Sequence, residues 1–441
     1  MNNFDVMKFG GTSVGSADRI KEVAAIINDG KTKLVVLSAM SKTTNSLLEI
    51  SGLLAQIKKP QAIDKILELK NRYKQVVEDL LKNESTKKEA DSFFENSFNT
   101  LMSFTQNGFN RQYENEIVAL GEIWSTNLFT FYLKEQGINA VLVSALDFMR
   151  IDDHSEPDME AIKNAIEILI NKNAQNTIYI TQGFICRNSY GNVDNLKRGG
   201  SDYTASLVGA ALAVNEIQIW TDIDGMHNND PRIVDKTHAV RELSFDEAAE
   251  LAYFGAKILH PATIYPAREK NIPVRLKYTM EPTAQGTLIT NRVPDAGIKA
   301  VAAKDDITVI KIKSSRMLMA YGFLRSIFEI FERYRTPIDM ITTSEVAVSL
   351  TIDNHTHLYD IVNELKQYGS VDVETDQTII CIVGSLVAEK KGYAAEIFTS
   401  LKDIPIRMVS YGGSDHNVSV LIPSHHKKAA LQALNNGLFE N

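Results

Sequence analysis

The order strand, glycine loop, helix, strand at the start of this chain leaves it few folds to choose from. FDVMKF (4–9) is a largely apolar run that reads as a buried strand, and GGTSVG follows it directly. Ile20, Val23, Ala24 and Ile27 then fall on one stripe of a helix, and LVVLSA (34–39) reads as a second buried strand. Two such strands joined through a helix make a βαβ unit, which implies a parallel sheet with helices on its faces.

The alternation then breaks and resumes. Residues 46–135 carry helical periodicity throughout, in LLEISGLLAQI, IDKILELKNRYKQVVEDLL and EIWSTNLFTFYLKEQG, and read as a helical insertion whose residues mostly pack and solubilise. Strand and helix return as TIYITQGF (177–184), YTASLVGAALAV (203–214), IQIWTD (217–222), the helix SFDEAAELAYFGAKIL and the strand VRLKY (274–278). Ser244 with Glu247 three residues on is a capping box at the start of that helix. By about residue 290 the sheet is expected to be complete, giving a first domain over 1–290 and a linker over 291–304 that includes TNRVPDAG.

The rest repeats itself. Gly322, Ile327, Phe328, Val348 and Ser349 recur 70 residues later as Gly392, Ile397, Phe398, Val418 and Ser419. Each copy reads as strand, glycine-started amphipathic helix, Pro-Ile strand, turn and strand, a small α+β domain. The expected bounds are 305–375 and 376–441.

Composition narrows the function classes. A formal charge of −8 argues against a nucleic-acid partner, whose phosphates call for a basic excess. Cys186 and Cys381, far apart in sequence, offer neither a CxxC pair nor a disulfide framework, which fits a reducing compartment. No signal-peptide pattern precedes FDVMKF and no apolar run reaches membrane-spanning length. A soluble, cytoplasmic protein without a membrane partner is the expectation.

Five stretches could do chemistry. In KFGGTSVG the N–H groups of Gly10, Gly11 and the helix start can hold phosphate oxygens, with Lys8 reaching them from the strand, although glycine pairs at such turns also serve sterics alone. In LKRGGSDYTASL, Arg198, Gly199, Gly200, Ser201 and Asp202 form an anion-binding constellation, or Ser201 and Asp202 merely cap the next helix. In IWTDIDGMHNNDPR, Thr221 and Asp222 close a strand at the edge where open α/β sheets bind ligands. Lys257, in FGAKILHP, could simply complement a helix dipole, and His260 reads as a packing or capping histidine. Glu122, in LGEIWS, is either a solvated glutamate or a carboxylate turned toward a substrate ammonium.

Together KFGGTSVG, LSAMSKTTN, LGEIWS, LKRGGSDYTASL, IWTDIDGMHNNDPR and FGAKILHPA resemble aspartate kinase, in that family's order and approximate spacing over essentially the whole chain. GFL…F and the IDMITTSEV turn are most similar to its monofunctional, lysine-sensitive branch. The resemblance implies an α/β amino-acid-kinase fold, carbamate-kinase-like: an αβα sandwich with a mainly parallel sheet, followed by two tandem ferredoxin-like ACT domains.

It also implies roles. Lys8, Phe9, Gly10 and Gly11 would contact the phosphates of ATP, and Thr221, Asp222, His227, Arg232 and Lys257 the nucleotide side. Thr44, Glu122, Arg198, Gly199, Gly200 and Ser201 would match the L-aspartate site, with Asp202 orienting Lys8. Met317, Ala320, Leu324, Ile338, Asp339, Ser344 and Glu345 would match an effector pocket. The carboxylates Asp339 and Glu345 favour lysine as the effector. His227 stands where the family usually has tyrosine, Lys197 where a small residue precedes the arginine, and Ala320 where the lysine-binding pattern has serine. Mg²⁺ would arrive with ATP rather than on protein ligands, and ACT pairing would join chains into a homodimer or tetramer. Two other readings stay open: a glutamate-type kinase of the same fold, and an amino-acid sensor with an inactive kinase domain.

Overall fold

The structure, a computed structural model, describes residues 4–106, 109–196, 199–255, 259–292, 297–314, 321–385 and 391–440. The chain begins β1 (Asp5–Phe9), α1 (Ala17–Ile27) and β2 (Lys33–Leu37). Four helices follow: α2 (Thr43–Ala55), α3 (Lys59–Leu80), α4 (Glu84–Ser103) and α5 (Arg111–Glu135). Then come β3 (Ala140–Leu142), α6 (Ala145–Phe148), α7 (Met159–Lys172), β4 (Ile178–Gln182), β5 (Ile185–Arg187), β6 (Val193–Asn195), α8 (Gly200–Leu212) and β7 (Glu216–Thr221). Next are β8 (Glu242–Ser244), α9 (Phe245–Tyr253), α10 (Pro261–Glu269), β9 (Val274–Tyr278) and β10 (Thr287–Thr290). The remainder holds β11 (Ile298–Lys313), α11 (Phe323–Arg333), β12 (Ile341–Thr343), β13 (Ala347–Ile352), α12 (Leu358–Leu365) and β14 (Ser370–Gly384). α13 (Tyr393–Ser400), β15 (Met408–Tyr411), β16 (Asn417–Pro423) and α14 (Lys427–Phe439) complete it. Two compact units result: Met1–Met226 with Ile258–Arg292, and His227–Lys257 with Val293–Asn441.

In the first unit the strands stand in the order β3-β4-β2-β1-β7-β9-β10. Every neighbouring pair is parallel except β9 and β10. All five residues of β2 are buried, as a strand covered on both faces must be. The chain lays β2 on one side of β1 and returns much later to lay β7 on the other, so the topological switch point lies between β1 and β7. Lys8 pairs with Val36 on one side and Ile219 on the other, which puts its side chain one residue from the carboxyl edge. The insertion packs as an aromatic core in which Tyr73 meets Trp124 at 5.0 Å and Phe98 meets Trp124 at 4.4 Å between ring centres.

In the second unit one sheet runs β12-β13-β11-β14-β16-β15. Its middle pair, β11 and β14, is antiparallel and crosses both repeats. Residues 298–304, which the sequence reading assigns to a linker, are the first half of β11. They pair with the second half of β14, which in turn pairs with β16. Accordingly Val301 lies in the core formed with Ile380, Ile382, Val418 and Leu431, while Ile310 and Ile312 lie in the core with Ile327, Phe331 and Leu350. The second repeat therefore takes a strand segment from outside its own sequence copy. Residues 227–257 also associate with this unit. Val234 is buried in the second repeat's core, and the Asn229 amide donates to the Leu431 carbonyl at 3.0 Å. α9 opens with the expected capping box, both bonds of Ser244 and Glu247 being present.

Candidate active site

At the carboxyl edge of β1 the Lys8 ammonium lies 2.6 Å from a carboxylate oxygen of Asp202, in the first turn of α8. Asp202 therefore does not cap its helix. Gly199 occupies the cap position with φ of +64°, and no side chain closes the α8 N-terminus. A Cβ on Gly199 would also stand 1.7 Å from a methyl carbon of Thr263, so sterics and backbone both demand glycine there. Ser201 is buried and accepts from the Ser38 hydroxyl at 2.9 Å, which joins α8 to the end of β2.

The loop after β2 continues the site. Ser41 donates to the Gly11 carbonyl twice, through its amide at 3.0 Å and its hydroxyl at 2.9 Å. Gly11 lies so close to this loop that a Cβ would stand 2.7 Å from the Ala39 carbonyl oxygen. Ala39 in turn donates its amide to a Glu122 carboxyl oxygen at 3.2 Å. Glu122 is only 3% exposed and its second carboxyl oxygen is buried without a hydrogen-bond partner. Desolvation raises its pKa to about 8 against the ordinary 4.5, partly opposed by the Ala39 amide. The solvated reading of Glu122 is thereby set aside. Thr44, half-buried, is the second residue of α2, whose N-terminus likewise has no side-chain cap.

Lys8, Asp202, Ser201, the 38–41 loop and Glu122 thus form one connected set at the switch point. Thr221 and Asp222 lie at the carboxyl end of β7, beside β1, with the Thr221 hydroxyl donating to Asp222 at 3.1 Å. Sequence reasoning missed Ser38 and Ser41, although both sit inside LSAMSKTTN. Their position after a buried strand was the available signal. His260 is the cap of α10, its Nδ1 accepting from the Ala262 amide, as its simpler reading expects. Lys197, Arg198, Lys257, Met317 and Ala320 lie outside the described residues.

Several expected residues belong to the second unit. His227 Nδ1 is 2.9 Å from the Thr237 hydroxyl, and Arg232 forms a two-pronged pair with Asp230 at 2.9 and 2.8 Å. Leu324 and Ile338 pack against the core of the first repeat, while Ser344 and Glu345 are exposed. One oxygen of the Asp339 carboxylate is already engaged, while the other is buried without a hydrogen-bond partner. Lys304 donates to the first at 2.7 Å, Tyr253 at 2.6 Å, and Lys304 reaches Asp353 as well at 2.9 Å. The Lys304 ammonium also lies over the Tyr253 ring, 4.3 Å from its centre. Among the described residues no three His, Cys, Asp or Glu side chains gather as a metal cluster.

Comparison with known proteins adds the following. Residues 3–278 match the amino acid kinase family and residues 380–438 an ACT domain. The chain is 34% identical to the lysine-sensitive aspartokinase 3 of Escherichia coli over the full length of both. It is 35% identical to the chloroplastic aspartokinase 1 of Arabidopsis thaliana, over 99% of this chain and 80% of that one. Among solved structures it is similar to E. coli aspartokinase III in complex with aspartate and ADP, with a TM-score of 0.83 at 33% identity, covering 99% of this chain and 100% of that one. The lysine and aspartate complex of the same enzyme gives 0.81 at 33% identity, covering 99% of each chain.

Proposed function

The chain belongs to the amino acid kinase family and, within it, to the aspartokinases, and from that premise we propose how its residues divide the transfer of the γ-phosphoryl of ATP to the β-carboxylate of L-aspartate. One observation carries the division of labour: the Lys8–Asp202 ion pair at the carboxyl edge of β1, next to the switch point. The acceptor is already an anion at neutral pH, its reference pKa being about 3.9, so there is no proton for a general base to remove. The barrier lies in bringing a carboxylate to a polyanion and holding it in line, which calls for positioning and positive charge.

On this reading Asp202 orients Lys8, and Lys8 meets the transferred group. Phe9, Gly10 and Gly11 turn the backbone toward the phosphates. Arg198 pairs with the substrate α-carboxylate and Glu122 with its α-ammonium, with Thr44, Gly199, Gly200 and Ser201 lining the same side. Thr221, Asp222, His227, Arg232 and Lys257 are assigned to the nucleotide. Mg²⁺ supplies neutralisation of phosphate charge when bound; it takes few protein carboxylates and keeps phosphate and water oxygens, which suits an ion delivered with ATP. Trapping the acyl phosphate with hydroxylamine, with ATP and a panel of amino acids, tests the reading. Aspartyl hydroxamate is the expected product; glutamyl hydroxamate, or none, would overturn it.

The second unit is assigned feedback control by lysine, through Met317, Ala320, Leu324, Ile338, Asp339, Ser344 and Glu345. The E. coli relative solved with lysine supports this. Titrating lysine, threonine and methionine against activity tests it, and indifference to all three would remove it. A homodimer or tetramer joined through the ACT domains is part of the proposal, measurable by sedimentation. So is a cytoplasmic location; among the described residues no helix is long and apolar enough to cross a membrane.

A further inference from the structure

The insertion helix α3 reaches the site through two consecutive residues. The Arg72 guanidinium donates to the Ser41 carbonyl at 2.5 Å, and the Tyr73 hydroxyl lies 3.1 Å from the hydroxyl of Thr43. Between those two anchors sits Lys42, with φ of +66°, a left-handed conformation that a residue with a side chain adopts only when its surroundings impose it. The strained residue is thus held on both sides by one helical turn. Ser41 is also tied to Gly11, and Thr43 donates its amide to the Met40 carbonyl at 2.9 Å. The 39–43 loop therefore has a glycine-loop side, a Glu122 side and an α3 side.

We propose that Arg72 and Tyr73 are positioning residues for the amino-acid substrate. They fix the left-handed turn that aims Thr44 and presents the Ala39 amide to Glu122. Neither need touch the substrate. Tyr73 is fully buried, stacked edge-on against Trp124, two residues beyond Glu122 on α5, so the same ring also braces the helix that carries the carboxylate. Arg72 is half-buried and donates to a carbonyl just before the strained peptide, a bond that a point-charge amine reproduces only in part. This inference rests on the assignment of Thr44 and Glu122 to the aspartate side.

The test compares wild type with Arg72→Ala, Arg72→Lys and Tyr73→Phe in steady-state kinetics with each substrate varied, alongside thermal unfolding. Tyr73→Phe keeps the ring and its packing, so it guards against simple unfolding. The expected result is a rise in KM for aspartate of about fivefold or more in Arg72→Ala and Tyr73→Phe, with partial rescue in Arg72→Lys and KM for ATP changed less than about twofold. A purely structural role would lower the unfolding temperature and leave both KM values near wild type; that outcome overturns the proposal. Equal increases in both KM values would overturn it too, because the effect would not be confined to the amino acid. Wild-type enzyme that forms no aspartyl hydroxamate would instead strike the underlying function and the inference with it.

Discussion

At the scale of single residues, Glu122 makes the sharpest demands. Its carboxyl titrates near 8 when folded and near 4.5 otherwise, so between those values the folded chain holds a proton that the unfolded chain has lost. Stability of the empty protein should therefore fall as pH rises across that window, by at most about 1.4 kcal/mol per pH unit from this group. Denaturant titrations at pH 5, 6.5 and 8 should show a slope that Glu122→Gln flattens. If Glu122 receives the substrate ammonium, it must ionise to do so. Aspartate binding at pH 7 should then release a proton, visible as calorimetric heats that depend on buffer ionisation, and Glu122→Gln should abolish the effect. Lys8→Ala should lose roughly 10²–10³ in kcat with little change in ATP affinity, since the cation acts on charge developing in transfer. Arg198→Ala should lose about 1.5–3 kcal/mol of aspartate binding, the usual worth of a charged hydrogen bond, read as a raised KM.

At the scale of elements, the junction between α8 and α10 is the most brittle. Gly199→Ala forces a side chain into a left-handed residue and into Thr263, so it should destabilise by more than about 1 kcal/mol in urea unfolding. Ser244→Ala, which removes only a cap, should lose about 1 kcal/mol. Local rules explain why much of this was legible. β2 and β7 are short apolar runs with turn signals at both ends, and the Ser244–Glu247 spacing announces α9 directly. The start of β11 was not legible, because the residues from Ile298 to Lys304 become a strand by pairing with Ile379–Gly384, far along the sequence. The site shows the same divide. Lys8 and Asp202 stand in recognisable glycine motifs, whereas Ser38 and Ser41 are ordinary turn letters until the fold brings Ser201 and Gly11 beside them. Arg72 and Tyr73 were hidden by the amphipathic rhythm of α3, which reads as packing alone.

At the scale of the whole molecule, the pair of repeats cannot be cut free at Asp305, the boundary their sequences suggest. A chain beginning at Asp305 would lack the half of β11 that pairs with Ile379–Gly384, leaving that stretch of β14 and the core around Ile380 and Val418 open on one side. Residues 305–440 should therefore be less soluble and unfold at lower urea than 297–440, which can be checked by expressing both. The Lys304–Asp339 contact adds a second constraint, since it links the strand that serves the second repeat to the region assigned to the effector in the first. An amine arriving from solution finds a half-taken bench at Asp339: the protein has seated one of its own ammonium groups on one oxygen, and a visitor must reach the walled-in vacant one or evict the resident.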